Sequence, residues 1–298
     1  MQSHPEPAEA AIIFNPLVPL LGGYDEPGGR TAIHQAVAGY HRMFFERNLG
    51  LDVLSSRELS QSELQRYKLV IVPYPLMMTS EEAEVLQQYV AGGGHMFVEA
   101  RAGWVDERGH AEPKVPGFGW DQMLGVREKE LIPGTDFTIK WGEQEFKSST
   151  FLEHFDFTPS AHAVALSADR TPVAFESSFK KGSAIVFGGF AGQQNYREPV
   201  DMHPLGEILA RWAHLTMPSL RAPALLELRQ MQASNGWLVF FFNHGETPAN
   251  VEFTRTLEKP AVHIREIFTG RAEQPNGSRL DIRTQVPALS VRIYRIDY

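Results

Sequence analysis

Cysteine is absent from all 298 residues of the chain. That excludes disulfides, thiolate metal sites and a cysteine nucleophile, and it is compatible with either redox setting. A basic block is lacking too: 28 Lys and Arg stand against 36 Asp and Glu, for a formal net charge of −8. Nucleic acid and anionic membrane both need clustered positive charge, so neither is an expected partner. No apolar run approaches the ~20 residues needed to span a bilayer. The opening MQSHPEPAEA has no basic stretch leading into an apolar one, so it does not read as a signal peptide. A soluble, cytoplasmic chain is expected. Repeats and low-complexity segments are missing as well. What is present is an ordinary globular composition, 43% hydrophobic and 21% charged, long enough for one large domain or two ordinary ones.

The stretch from Leu69 to Val126 organises the rest. Leu69-Val-Ile-Val-Pro73 and His95-Met-Phe-Val98 are short apolar runs that read as buried strands. Between them Thr79 and Glu82 have the spacing of a capping box, Leu86, Tyr89 and Val90 share one helical face, and Gly92 to Gly94 end the helix. Strand, helix and strand in about thirty residues make a βαβ unit with a right-handed crossover. A long loop rich in Gly, Pro and Trp follows, at the strand end where open parallel sheets place their ligands.

Upstream, residues 1 to 10 read as a flexible lead-in, Ala11–Phe14 as a strand, and Thr31 as the start of a helix with Ile33, Val37, Tyr40 and Phe44 on one side. Leu51–Leu54 is the next strand. This alternation predicts an α/β fold with a parallel, doubly wound sheet of flavodoxin-like type. Past Val126 the pieces turn β-rich. Phe137–Trp141 and Ala163–Leu166 read as strands, and Pro172–Phe175 with Ser183–Phe187 as a hairpin around Lys180-Lys-Gly182. Pro204 reads as the start of a helix closed by Met217-Pro218. From Ala222 six short runs separated by turn signals suggest a small antiparallel β-sandwich. The predicted domains are therefore 1–220 and 221–298.

Chemistry is harder to find. The turn Val98-Glu-Ala-Arg-Ala-Gly103 follows a central strand, where amidotransferases of this fold class carry their nucleophile, yet it holds no Cys, Ser or Thr. GGYDEPGG at 22–29 has neither the dinucleotide-binding glycine spacing nor a Walker lysine, so no cofactor is expected. Asp201-Met-His203 and His154-Phe-Asp156 lack the further partners that a metal site needs, so no metal is expected either. Carboxylates remain: Glu99, Asp106, Glu107 and Asp121 lie at or beyond the strand end. They have two uses. Glycosidases work with a carboxylate pair about 5–10 Å apart. In the plainer alternative Arg101 or Arg108 holds Glu99, while the others cap or solvate the loop. Trp104, Phe118 and Trp120 are open to three uses: stacking on sugar rings, packing under the loop, or facing a partner subunit.

In its order of segments the chain resembles the trimerisation domain of family-42 glycoside hydrolases, the β-galactosidases, followed by their small C-terminal β domain. The segments are FFERNLGLDVL, YKLVIVPYPLMMT, EEAEVLQQYVAGGGHMFVEA, VDERGH, VPGFGWDQMLGVREKE and KKGSAIVFGGFAG. The likeness is closest up to Glu130 and looser after Ala222. It implies a class I glutamine amidotransferase-like fold without catalytic function that builds a trimer. The catalytic glutamates of that family belong to an N-terminal barrel that nothing here resembles, so no catalytic residue carries over. The leading expectation is an assembly module whose partner is itself, as a homo-oligomer or trimer, or a glycosidase barrel. The rivals are a stand-alone carbohydrate hydrolase using the loop carboxylates and a sugar-binding module using Trp104 and Trp120. The loop from Arg101 to Leu124, with Asp106, Glu107, Arg108 and Lys114 as its charged rim, is the expected contact surface.

Overall fold

A computed structural model describes residues 3–21 and 31–298. These divide into two compact units. The larger holds residues 9–43 and 51–215. The smaller holds the segment ending at Ala8, Phe44–Gly50 and Thr216–Tyr298. The composition shift predicts a break between 220 and 221, whereas the contacts put it between Leu215 and Thr216 and add two upstream segments to the smaller unit.

Strands are numbered along the chain. β1 (Ser3–Pro5) belongs to the smaller unit, and β2 (Ala10–Phe14) opens the larger one. There follow α1 (Ala32–Phe45), β3 (Leu51–Ser55), α2 (Gln61–Leu64), β4 (Leu69–Val72), α3 (Ser80–Gly92) and β5 (His95–Val98). Next come α4 (Trp120–Leu124), β6 (Val126–Trp141), β7 (Gln144–Phe157), β8 (Ala161–Ser167), β9 (Pro172–Phe179) and β10 (Gly182–Phe187). Helices α5 (Ala191–Arg197) and α6 (Pro199–Trp212) close the unit.

Its nine strands form one sheet in the order β3-β2-β4-β5-β10-β9-β8-β6-β7. Neighbours from β3 to β10 run parallel. From β10 to β7 they run antiparallel. The sheet is thus mixed, and the expected parallel sheet covers only one side of it. All four residues of β4 are buried, as a strand covered on both faces requires. Each such aliphatic side chain contributes about 1.5–3 kcal/mol. The capping box of α3 is present: Thr79 Oγ1 accepts the Glu82 N–H at 3.1 Å, and Glu82 Oε2 accepts the Thr79 N–H at 3.0 Å. Gly93 ends that helix at φ 119°.

Three expectations need correction. The segment 126–157 is a long two-stranded ribbon, β6 with β7, of which the sequence offered only Phe137–Trp141. Its register slips between Glu128 and Glu130 and again between Gly134 and Phe137. Each slip breaks the alternation by which a strand is recognised. Helix α6 begins at Pro199, and Pro204 lies inside it rather than at its start. Both prolines fit a helix start in sequence terms, and the first of them sits there. The lead-in is also ordered in part, since Ser3–Pro5 pairs antiparallel with Met231–Ala233.

The smaller unit is all antiparallel. After β11 (Ser219–Arg221) come β12 (Leu226–Ala233), β13 (Gly236–Asn243), β14 (Ala249–Thr256) and β15 (His263–Glu266). β16 (Ala272–Glu273), β17 (Arg279–Val286) and β18 (Ser290–Asp297) complete it. The sheets run β1-β12-β13-β18-β15-β16 and β11-β14-β17. Alternate residues of both, among them Leu228, Val239, Phe241, Val251, Phe253, Ile282 and Ile296, make one core. Asn48 braces this unit, its Oδ1 accepting the Leu228 N–H at 2.6 Å.

Candidate functional site

Glu99 follows β5 directly and is fully buried, at 0% exposure. Neither predicted arginine holds it. Its Oε1 accepts the Tyr40 hydroxyl and the Gly192 N–H, each at 2.8 Å, and its Oε2 accepts the Tyr74 N–H at 2.8 Å. Burial pushes its pKa up to about 7, while the Gly192 N–H and the other donors pull the other way. Glycine makes this arrangement possible. A Cβ on Gly39 of α1 would lie 1.8 Å from the Gly192 carbonyl oxygen, so the backbones of α1 and α5 touch at that point. Tyr74 itself adopts φ 48°, a conformation that strains a bulky residue. The crevice where strand order reverses, between the ends of β2 and β4, is spanned by protein. There Asn15 donates its side-chain amide to the Met77 carbonyl at 2.8 Å and accepts the Leu17 N–H at 2.8 Å.

The turn after Glu99 holds no Cys, Ser or Thr. Arg101 sits at φ 56°. Its guanidinium lies 3.9 Å from the ring centroid of Trp104, and its Nε is 3.3 Å from Glu128 Oε2. Trp104 is therefore half-buried, with one face occupied by a cation. Trp120 is 1% exposed and donates its indole N–H to the Ala83 carbonyl at 3.2 Å. Of the three uses open to it, it takes the core. Phe118, at φ 53°, is half-buried and packs on Gly103.

The remaining loop acids have local partners. Asp106 Oδ1 accepts the N–H groups of Arg108 and His110 at 2.9 and 2.8 Å, and the His110 N–H is the main reason its carboxyl titrates below its ordinary value. Glu107 is exposed and lies 3.8 Å from Arg108. Asp121 faces Arg127 at 3.4 Å and Lys114 at 3.7 Å. Backbone bonds order the loop: Gly103 N–H to Pro75, Val105 N–H to Leu76, Gly117 N–H to Ala102 and Glu128 N–H to Val115.

One acid of this neighbourhood escapes the sequence reading. Glu153 of β7 is fully buried, and its Oε2 accepts the Arg101 N–H at 2.6 Å. Its Oε1 is buried and meets no donor among the described residues, and the charge of Glu128 acts on it. Burial, and then the Glu128 charge, push its pKa well above the usual carboxylate range against the opposing pull of Arg101. The signal was available: Glu153 interrupts the apolar run Phe151-Leu-Glu-His-Phe155. It is obscured because the pattern of Gln144–Phe157 does not read as a strand.

Elsewhere the prospects are thinner. His154 faces Glu130 at 3.4 Å. The side chains of Asp201 and His203, and the GGYDEPGG segment, lie outside the described residues. Among the described residues no group of three or more His, Asp or Glu could hold a metal, and no helix is long and apolar enough to cross a membrane. In the smaller unit, Arg271, Arg283 and Arg292 line a polar concavity of about 500 Å³. Each guanidinium already faces an acid, at 3.2 Å (Glu273), 3.7 Å (Asp281) and 3.6 Å (Glu266), and no aromatic ring lines it for a sugar to stack on.

The model of the β-galactosidase trimerisation domain matches residues 8–202. The chain belongs to that family. β-Galactosidase BgaB of Geobacillus sp. strain Y412MC61 is 24% identical over 230 residues, which are 74% of this trimerisation-domain chain and 32% of the relative. The β-galactosidase of Arthrobacter sp. is 26% identical over 243 residues, again covering 32% of its own length. The trimerisation-domain chain thus spans about a third of the length of the relatives it matches. Among solved structures, a catalytic mutant of Gan42B, a GH42 β-galactosidase from G. stearothermophilus, has the same fold with a TM-score of 0.79 at 19% identity, over 99% of this chain and 41% of that one.

Proposed function

We propose that this chain is a non-catalytic assembly module of a family-42 β-galactosidase-like enzyme, and that the loop from Arg101 to Leu124 lies in the contact between copies. The carrying observation is the turn after β5. The position at which an amidotransferase-like sheet would present a nucleophile is taken by Arg101 at φ 56°, and its guanidinium is engaged by Glu128 and Trp104. The carboxylate beside it, Glu99, has no contact with solvent. A turn with neither a nucleophile nor an exposed acid of its own lacks the groups that acyl transfer and glycoside hydrolysis need. The finer fold reading is supported by strand order. Numbered among themselves along the chain, the parallel strands run 2-1-3-4-5, the flavodoxin-like order.

Trp104, Phe118 and the charged rim of Glu107, Arg108 and Lys114 have the makeup of an interface with an aromatic centre. Assembly is tested by light scattering of the wild type beside Trp104→Ala. An oligomer, trimeric on this reading, that weakens in the variant supports it, and a wild type monomeric at high concentration overturns it. Turnover of a nitrophenyl galactoside by the chain alone, lost in Asp106→Asn, would overturn the non-catalytic reading.

A further inference from the structure

We propose that Asn276 is a site of spontaneous covalent modification, and that its conversion to isoaspartate loosens the turn that holds Leu257 and Ala261. Asn-Gly occurs twice in the chain, at Asn235–Gly236 and at Asn276–Gly277. The dipeptide is chemically weak because glycine has no Cβ to keep its backbone nitrogen away from the preceding side-chain amide. Both asparagines are exposed, so solvent access does not separate them. The backbones do separate them.

Asn276 to Arg279 form a tight turn, closed by the Arg279 N–H on the Asn276 carbonyl at 3.0 Å. Gly277 takes the first central position at φ 58°, where glycine is favoured. Its N–H donates to no acceptor among the described residues, and the Asn276 side-chain amide has no hydrogen-bond partner among them either. A Cβ on Gly277 would meet nothing within 4 Å, so the turn is open around the reacting atoms. Gly236 is the opposite case. It is buried in the β12–β13 hairpin and pairs with Ala233 on one side and Asp297 on the other. A Cβ on it would lie 1.8 Å from the Ile296 carbonyl oxygen. The Asn235 carbonyl is tied down as well, accepting the Tyr298 N–H at 3.0 Å. Any shift of the Gly236 nitrogen towards the Asn235 side chain strains two strand pairings at once.

The reaction balances with water alone. The Gly277 nitrogen gives its proton to solvent base and attacks Cγ of Asn276, forming a C–N bond. The Cγ–Nδ2 bond breaks, and ammonia leaves. Water then opens the resulting five-membered succinimide on one side or the other. Attack at Cγ restores the main chain and leaves aspartate. Attack at the main-chain carbonyl carbon leaves isoaspartate, in which the chain runs through Cγ and is one methylene longer. Nothing is oxidised or reduced.

That methylene enters a turn whose carbonyls carry other parts of the smaller unit. The Gly277 carbonyl accepts the Ala261 N–H at 2.9 Å, and the Ser278 carbonyl accepts the Leu257 N–H at 2.7 Å. Leu257 and Ala261 both belong to the core of this unit. A displaced carbonyl leaves the N–H of a buried residue unpaired, which costs more than the bond itself contributes. Aspartate at the same position changes the charge but not the chain length, so these bonds stay in place.

Incubation of the chain at pH 8, followed by peptide mapping with mass spectrometry, tests the site. Aspartate and isoaspartate peptides have equal mass and are separated by chromatography beside synthetic standards. Conversion at Asn276 is expected to be at least about tenfold faster than at Asn235, a barrier difference of about 1.4 kcal/mol or more. Equal rates, a faster Asn235, or an unchanged Asn276 when a synthetic QPNGSR peptide has fully converted overturns the proposal. Hydrogen exchange on peptides covering residues 256–262 tests the consequence. Protein enriched in isoaspartate should lose roughly tenfold or more of its protection there. Asn276→Gln keeps the amide but needs a larger ring to react, so its protection should survive the same incubation. Fresh Asn276→Asp should keep it too. A comparable loss in either variant, or full protection in the isoaspartate form, overturns the role of the lengthened turn.

Discussion

The parallel and antiparallel halves of the nine-stranded sheet each bury one glutamate completely, and they treat it differently. On the parallel side Glu99 receives three donors on its two oxygens: a tyrosine hydroxyl and two backbone N–H groups. On the antiparallel side Glu153 receives one backbone N–H and faces another acid. Burial alone pushes both carboxyls up. Three donors then pull Glu99 back, to about 7, whereas at Glu153 the Glu128 charge adds to the rise and Arg101 opposes it. The lesson is that burial sets the sign of the shift, while the donors that local backbone can aim at the group set how far it goes. Parallel strand ends supply such donors, because helix starts and strand-end turns converge there. On the ribbon, Glu153 has a single N–H aimed at its carboxyl, that of Arg101 in the turn after β5.

The most direct way to break the comparison is to spoil the donor set on the parallel side. Gly39→Ala places a methyl 1.8 Å from the Gly192 carbonyl oxygen, so α1 and α5 must part, taking the Tyr40 and Gly192 donors with them. A backbone clash has no flexible neighbour to absorb it. We expect a loss of about 3 kcal/mol or more, at the upper end for overpacking. Denaturant unfolding measures it, and a loss below about 1 kcal/mol would mean that the two helices are free to separate.

A second measurement sharpens the contrast through pH. The Glu99 carboxyl moves from 4.5 to about 7 on folding, so the folded state binds the extra proton. Stability from this group is fully present below the unfolded value and is lost as pH rises through 7, a span worth roughly 3 kcal/mol. Glu153 acts in the same direction. Glu99→Gln removes the titration, but its amide N–H₂ must face either the Tyr74 N–H or the Gly192 N–H. It should cost roughly 1–3 kcal/mol at pH 5. That deficit should shrink by pH 9, where the wild type carries a buried charge. Parallel stability curves for the two proteins would contradict the titration of Glu99.

Legibility follows the same division. The parallel half could be read because β4 and β5 are uninterrupted apolar runs and α3 announces both its ends with Thr79, Glu82 and Gly93. The antiparallel ribbon could not. Its bulges at Lys129 and around Gly134 shift the side-chain period, and its charged residues resemble a loop. The loop from Arg101 was legible as a place but not as chemistry. Glu99 reads as an acid at the strand end, yet its partners, Tyr40 and the Gly192 N–H, lie 59 and 93 residues away in sequence. Arg101 meets Glu128 instead of Glu99, and Glu128 lies on a strand whose register the sequence conceals. Trp120 shows the limit of composition, since an aromatic in a Gly- and Pro-rich loop reads as surface until α4 turns it under α3.

The smallest expected effect supplies the control that the other two need. Thr79→Ala removes one half of the α3 capping box, leaving the Glu82 N–H without its acceptor, and should cost about 1 kcal/mol. The cap shares no hydrogen-bond partner with Glu99 or Glu153, and the Thr79 hydroxyl does not titrate. Its cost should therefore be the same at pH 5 and pH 9 and should add to that of Glu99→Gln within a few tenths of a kcal/mol. If the Thr79→Ala deficit instead grows with pH, the pH dependence of the wild type belongs to the parallel half as a whole. The contrast between a well-bonded and a poorly bonded carboxyl would then no longer explain it. If the double variant falls short of additivity, α3 and the strand-end network unfold as one unit, and the separate treatment of the two buried acids would have to give way to a single cooperative core.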